Sequence, residues 1–243
     1  MIAKAIDRII GLSEPHIIST PYGNFTDKRL ERMPEGRRAR EIEVQTLSAL
    51  VDYVRNIKDQ TDNRAGRGYF VHVESPKEVR LLSGLDHDQE RECLVYAKAQ
   101  TPKIPFEQFV EQEKMIISLQ TAFARDPSTD LDMVMQFAGT ATAGTIKDYS
   151  DDGVSQKATV SSGVRGKEDK LVPSPCTLRP IRTFLEVEQP KSPFIFRLRS
   201  GSDDTVLAGL FDADGGAWKL DAVYRITAYL REALNGTGVE VIG

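Results

Sequence analysis

Apolar residues recur along this chain with two periods, and the switches between them mark its elements. Leu47, Leu50, Val51, Val54 and Ile57 fall on one helical face, with Thr46 at the N-cap position before them. Residues 69–73, 78–82 and 92–99 read as strands. Pro102 and Pro105 punctuate the next boundary, and Pro105 stands where a helix can begin. Phe106, Phe109, Val110, Ile116, Ile117, Gln120 and Phe123 mark the expected face of that helix, which Asp126-Pro127 ends. A second helix is expected over 128–137, apolar at Leu131, Val134 and Met135. Ahead of these elements, residues 2–12 carry a short amphipathic helical pattern closed by Gly11 and Pro15, and the low periodicity up to about 43 predicts an extended arm or loop.

Residues 138–145, AGTATAGT, change the composition abruptly and form a candidate junction. Beyond it, Asp151-Asp152-Gly153 signals a turn, 154–163 a strand of mixed polarity and 163–170 a polar loop. A hairpin is expected from strands 181–188 and 194–199, followed by a mostly apolar buried strand over 205–211. Asp214 begins the last long helix, apolar at Leu220, Val223, Ile226, Tyr229, Leu230 and Leu234, and Asn235-Gly236 stops it before an edge strand at 239–242. The fold class is therefore α+β, with antiparallel sheets covered by helices. Three strands and a helix recur over 69–123 and 181–234, which raises two strand-strand-strand-helix halves as one arrangement. The corresponding division is an N-terminal helix and arm at 1–45, an α+β half at 46–145 and a second at 146–243.

The hairpin makes a definite prediction about register. Alternate side chains of a strand share a face, so Ile181, Thr183, Leu185 and Val187 form one side, and Arg182, Phe184, Glu186 and Glu188 the other. Phe194, Phe196 and Leu198 face one way in the second strand, Ile195, Arg197 and Arg199 the other, with Gln189-Pro190-Lys191-Ser192 as the turn. Matching the apolar faces pairs Val187 with Phe194 and Leu185 with Phe196, which sets Phe184 opposite Arg197 and Arg182 opposite Arg199. Facing like charges are unfavourable by up to about 1 kcal/mol unless an anion or acidic side chain lies between them. Arg182, Arg197 and Arg199, with Arg179 nearby, are thus candidate anion- or nucleotide-binding residues. The alternative is that Glu186, Glu188 or a distant carboxylate neutralises them on a solvated face.

The segment LRPIRTFLEVEQPKSPFIFRLR at 178–199, with DDGVSQ at 151–156 and FDADGGAWKL at 211–220, resembles the YfdQ-like proteins of tailed phages and prophages, a family carried as a domain of unknown function. The resemblance runs from about Thr46 to Leu234. It implies a phage origin and brings no catalytic residues. The strand order also resembles, at the level of fold alone, the core of phage single-strand annealing proteins. Phage accessory proteins often assemble, so the resemblance further implies a homo-oligomer.

Composition narrows the function classes. At 243 residues, 40% hydrophobic and 28% charged, the chain is long enough for one large or two small globular domains. No run approaches the ~18 apolar residues of a membrane span, and the N-terminus does not read as a secretory signal. No membrane partner and a cytoplasmic location in the infected bacterium are the expectations. Cys93 and Cys176 are too few for a disulfide framework and lack metal-ligand spacing. A net charge of −4 argues against coating nucleic acid through a generally basic surface, while leaving room for a local basic groove. The basic cluster at 28–40 (Lys28, Arg29, Arg32, Arg37, Arg38 and Arg40) is interleaved with Glu31 and Glu35 and holds no aromatic to stack on bases, so it reads as a solvated loop.

Catalytic motifs are missing. His16, His72 and His87 are too scattered for an HExxH site, and neither a GxxxxGK[ST] loop nor a dinucleotide fingerprint occurs. Asp212 and Asp214 flank Ala213 at a strand-to-helix junction, where they could hold Mg²⁺ beside a phosphate or cap the helix. Glu168-Asp169-Lys170 has an acid-x-lysine spacing found in nucleases but sits in the polar loop. Trp218 reads as a core anchor. The favoured expectation is a non-catalytic phage accessory protein, without metal or other cofactor, that binds an anionic small molecule or a host protein in host takeover or anti-defence. Single-stranded-DNA binding or annealing in phage recombination is the first alternative, and a metal-dependent phosphoesterase built on Asp212 and Asp214 the second.

Overall fold

The computed structural model describes residues 6, 15, 17–20, 23–26, 40–56, 68–85, 89–141, 146–147, 156–162, 166–172, 174–202 and 205–243. The chain divides into two units, Met1–Ala39 and Arg40–Gly243. In the first, β1 (Ile17–Thr20) pairs antiparallel with β2 (Gly23–Thr26). Apart from Ile6 the expected helix at 2–12 lies outside the described residues, as do the basic cluster other than Arg40, the 151–153 turn and residues 142–145 of the expected 138–145 junction, whose first three residues end a helix.

The second unit is an α+β fold containing two larger sheets, neither closed into a barrel. The first sheet is an antiparallel meander of β4 (Tyr69–Ser75), β5 (Glu78–Ser83) and β6 (Cys93–Lys98), as the alternation of apolar residues predicts. Short parallel strands complete its edges, β3 (Ile42–Val44) beside β6 and β14 (Glu240–Ile242) beside β4. Helix α1 (Leu47–Asn56) buries Leu47, Leu50 and Val51 against it, and α4 (Ala217–Ala233) contributes Ile226 and Leu230 to the same core as Val71, Val79, Leu81 and Val95. Thr46 is the N-cap expected, its Oγ1 accepting from the Ala49 N–H at 3.2 Å.

The second sheet has the order β11 (Cys176–Leu178), β12 (Ser192–Ser200), β13 (Val206–Asp212), β7 (Phe109–Glu111), antiparallel throughout. Its inner face, with Phe194, Phe196, Leu198, Ala208 and Leu210, packs on Met115 and Leu119 of α2 (Gln112–Ala122) and on Leu131, Val134 and Phe137 of α3 (Leu131–Thr140). A third sheet joins β8 (Ile146–Lys147), β9 (Gln156–Ser162) and β10 (Gly166–Val172).

Strands from both sides of residue 145 share the larger sheets, since β7 joins β13 and β14 joins β4. The helices cross over as well. α2, which follows the first meander, packs on β13, whereas α4, which follows the second sheet, packs on β4 and β14.

Three sequence expectations need correction. Residues 163–170 are not a polar loop throughout, because 166–172 pairs along its length with β9. The helix expected from Pro105 begins at Gln112. Residues 109–111 extend into β7, and the helix buries Met115, Ser118, Leu119 and Ala122 while Ile117 is exposed. Most consequentially, residues 181–188 form no strand. The partner of β12 is β11, with Cys176 opposite Phe194 and Leu178 opposite Ser192, so Arg182 does not face Arg199.

The physical reason lies in Gln189. Its Oε1 accepts from the Arg182 and Thr183 amides at 2.9 and 3.1 Å, and its Nε2 donates to the Phe184 and Val187 carbonyls at 2.9 and 3.3 Å. One buried side chain thus supplies bonds that a ladder would have made, and a buried backbone needs such partners wherever it finds them. The loop can then place Phe184 and Val187 in the core of the first sheet. Glu186, from the same loop, accepts from the Leu47 and Ser48 amides at the start of α1, at 2.7 and 3.1 Å.

Candidate functional site

The loop between β11 and β12 carries Arg182 onto the inner side of the second sheet. Ser192 and Phe194 share that face by strand alternation, and Arg182 meets both. Its guanidinium lies 5.4 Å from the Phe194 ring centroid and 4.0 Å from that of Trp218, donates through Nη2 to Ser192 Oγ, and approaches Asp212 Oδ2 through Nη1 at 3.4 Å. Only 5% of Arg182 is exposed, which makes it an internal cation. Burial pushes its pKa down to about 10 against the pull of Asp212 and Asp214, leaving it charged at neutral pH.

The carboxylates beside it are engaged. Ser192 Oγ donates to Asp214 Oδ2 at 2.8 Å, and Asp214 also accepts from the Gly216 and Trp218 amides at 2.7 and 3.1 Å. Burial opposes ionisation of Asp214, but those three hydrogen bonds and the Arg182 charge outweigh it and hold the carboxyl below its ordinary range. Asp212 moves the other way. Burial raises its pKa, and the neighbouring Asp214 and Glu107 charges add to that, more than Arg182 can reverse. The Asp212 amide donates to Glu107 Oε1 at 2.7 Å. Asp214 therefore acts as a helix-capping group, and among the described residues no cluster of three or more His, Cys, Asp or Glu could hold a metal ion.

Arg179 is also neutralised. Its Nη2 lies 2.6 Å from Glu188 Oε1 and 2.9 Å from Asp126 Oδ2. Lys191 shares Asp126 at 3.0 Å, and Arg225 shares Glu188 at 2.6 Å. Hydrogen bonds from Ser128 chiefly, then Lys191 and the Arg179 charge, hold the Asp126 carboxyl well below its usual range.

Arg197 and Arg199 stand on the opposite, outer face of β12. The four arginines marked by the sequence consequently do not form one cluster, because adjacent strand positions point to opposite sides and the loop has drawn Arg182 inward. On the outer face Arg197 is directly opposite Gly209, and Gly209 opposite Phe109. Arg199 is opposite Leu207, and Ile195 opposite Phe211. Phe109 and Phe211 meet edge to face, centroids 5.4 Å apart, and the Arg199 guanidinium lies 4.2 Å from the Phe109 centroid. Arg199 is exposed, while Arg197, Ile195, Phe109 and Phe211 are half-buried. Gly209 makes this arrangement compact. A Cβ at that position would lie 2.8 Å from Phe211 Cε2 and 3.0 Å from Phe109 Cδ1.

This face combines aromatic surface with cationic side chains. The outward direction of Arg197 and Arg199 follows from strand alternation, whereas Phe109, on the helical face that the sequence predicts, lies in β7. The signal available was the 207, 209, 211 alternation, which aligns Phe211 with the outward arginines. The two cysteines offer no competing chemistry, as burial pushes Cys176 up to about 12 and Cys93 up to about 11, away from the reactive thiolate. Open grooves of about 650 and 290 Å³ lie at the opposite edges of the first sheet, beside β14 and β3.

Comparison with protein-family models, curated proteins and solved structures finds no match.

Proposed function

We propose that this chain is a phage-encoded accessory protein that binds, without catalysis, an anionic ligand carrying a nucleobase on the outer face of its second sheet. The observation that carries the reading is the Phe109–Phe211 pair across Gly209, with Arg199 over one ring and Arg197 in the same row. Stacking a base on an aromatic ring contributes about 1–3 kcal/mol, and a guanidinium can take phosphate oxygens in paired, charge-assisted hydrogen bonds. A ligand with both a ring and a phosphate uses both features, whereas a simple inorganic anion uses only one. Arg179 and Arg182 then stabilise the fold around the site instead of touching the ligand.

The phage setting, the cytoplasm of an infected bacterium and assembly into a homo-oligomer belong to the same proposal and are supported by the resemblance to YfdQ-like proteins. Sequestering such a ligand would serve host takeover or anti-defence. The reading is tested by titrating fluorescent nucleotides and fluorescein-labelled oligonucleotides against the full chain and its Phe109→Leu variant. Binding that the substitution weakens by at least about tenfold, at the lower end of a stacking contribution, supports it. An absence of binding to the whole panel overturns it.

A further inference from the structure

We infer that the ligand of this outer face is a single-stranded nucleic acid, with its backbone along β12 over Arg197 and Arg199 and its bases directed toward Phe109 and Phe211. The inference rests on the nucleotide-binding reading above and narrows its ligand class.

The charge and aromatic positions are segregated by strand. Both arginines belong to β12, whereas the rings belong to β13 and β7 on one side of it. The arginine positions thus stand to one side of the ring positions, and the Arg199 guanidinium reaches across β13 to lie over Phe109; a polymer that keeps its phosphates in one line and its bases to one side would draw that guanidinium back toward β12 and uncover the ring. The backbone positions of Arg197 and Arg199 are two strand residues apart, about 7 Å, so guanidinium groups drawn above them could meet neighbouring phosphates of an extended strand. Phe109 lies in the row of Arg197, and Phe211 in the next row, opposite Ile195. Successive bases would therefore meet successive rings. Glu111, opposite Leu207 in the row of Arg199, is on the base side, two strands from the phosphate track.

The shape of the face favours a polymer. Small-molecule sites enclose most of their ligand, but here the ring and arginine positions are spread over three neighbouring strands of one sheet. Each nucleotide receives a stack and a phosphate contact with little enclosure, so repetition along the chain must supply the affinity. A duplex keeps its bases stacked on one another and cannot offer them to Phe109 and Phe211. With a net charge of −4, attraction of a polyanion falls to a local cationic patch instead of the whole surface.

The test is fluorescence anisotropy of the full chain with fluorescein-labelled dT15 and rU15, competed by unlabelled dTMP, a dA15–dT15 duplex and inorganic polyphosphate. The expected result is binding of at least one 15-mer, at least about 100-fold tighter than dTMP, with affinity falling as salt rises. Preference between dT15 and rU15 identifies DNA or RNA as the source, and equal binding identifies a general single-strand surface; each supports the inference. Phe211→Leu should weaken binding about tenfold or more. Because that ring is half-buried, the exposed Arg199→Glu provides an independent test, with a similar loss and an unchanged thermal unfolding curve. Competition by dTMP at the same concentration as the 15-mer overturns the polymer inference but preserves a nucleotide site. Equal competition by polyphosphate, with Phe211→Leu folded and unaffected, overturns base stacking. Failure of dTMP and both 15-mers to bind overturns this inference and the proposed function together.

Discussion

Arg182 and Arg199 come from one short arginine-rich segment, yet they occupy opposite sides of β12 and do different physical work. Arg182 lies on the inner side, almost wholly covered, between Trp218 and Phe194 and within reach of Asp212. Arg199 is exposed on the outer side against Phe109, and among the described residues it forms no ion pair. A buried cation needs counter-charges and acceptors to remain charged, whereas an exposed one loses little of its hydration and stays available to a ligand. The contrast teaches that arginine density alone does not define an anion site. The side of the sheet to which each guanidinium is delivered decides.

The largest expected effect attacks the inner side. Arg182→Met preserves much of the side chain's length and apolar contact but leaves Asp212 without its cation. Loss of one partner from a buried pair typically costs 3–5 kcal/mol. About 3 kcal/mol is expected here, at the low end because Asp212 retains roughly a third of its exposure. Urea unfolding at pH 7 measures it. Adding Asp212→Leu should recover most of the loss, because removing both charges also removes the unpaired one. A loss below about 1 kcal/mol for the single variant would mean that Arg182 does not secure this side of the sheet.

A smaller effect is expected from acid. Asp126, Glu188 and Asp214 are held below their ordinary ranges, principally by hydrogen bonds from Ser128, from Arg225, and from Ser192 with the two helix amides, respectively; for Asp214 these overcome its burial. Carboxyls depressed in the folded state contribute stability that is present above the unfolded pKa, about 4, and lost as pH falls through the folded value. Asp212 has the opposite sign. Its raised pKa contributes stability present at low pH and lost as pH rises through the folded value, so it softens the acid loss. Asp126→Asn should therefore lower the urea midpoint at pH 7 and converge with the unsubstituted chain as pH falls below about 4. Parallel midpoint curves over the whole range would show that the Asp126 charge contributes nothing to the loop's attachment.

The same contrast explains which parts were legible from sequence. β4, β5, β6 and β12 follow period-two alternation, β13 is a short apolar run, and α1 carries both its apolar face and its Thr46 cap within a short window. Each is specified by neighbours in the chain. Residues 181–188 have equally good alternation, yet Gln189 satisfies their backbone through its side chain and Phe184 inserts into the core of the other sheet. Nothing in period two distinguishes those outcomes. β7 was hidden for a related reason. Its three residues sit directly before a helix, and their pairing with β13 spans nearly a hundred positions. The outward direction of Arg197 and Arg199 was readable locally, while the aromatic half of the candidate site depended on that distant pairing.

The smallest expected stability effect belongs to Arg199→Gln, and its smallness makes it informative. The substitution removes a cation exposed to water and a contact with Phe109, a kind of interaction that contributes about 0.5–1 kcal/mol at exposed sites. Gln keeps part of the side chain's apolar stem, so a stability change within about 0.5 kcal/mol is expected. Binding should respond more strongly. If Arg199 contacts one phosphate, the slope of log affinity against log salt should fall by about 0.7 for a single strand. Measuring unfolding and the salt slope on the same preparation keeps the two roles apart. A substantial stability loss with an unchanged slope would make Arg199 a second structural arginine, and the difference between the two sides of β12 would disappear.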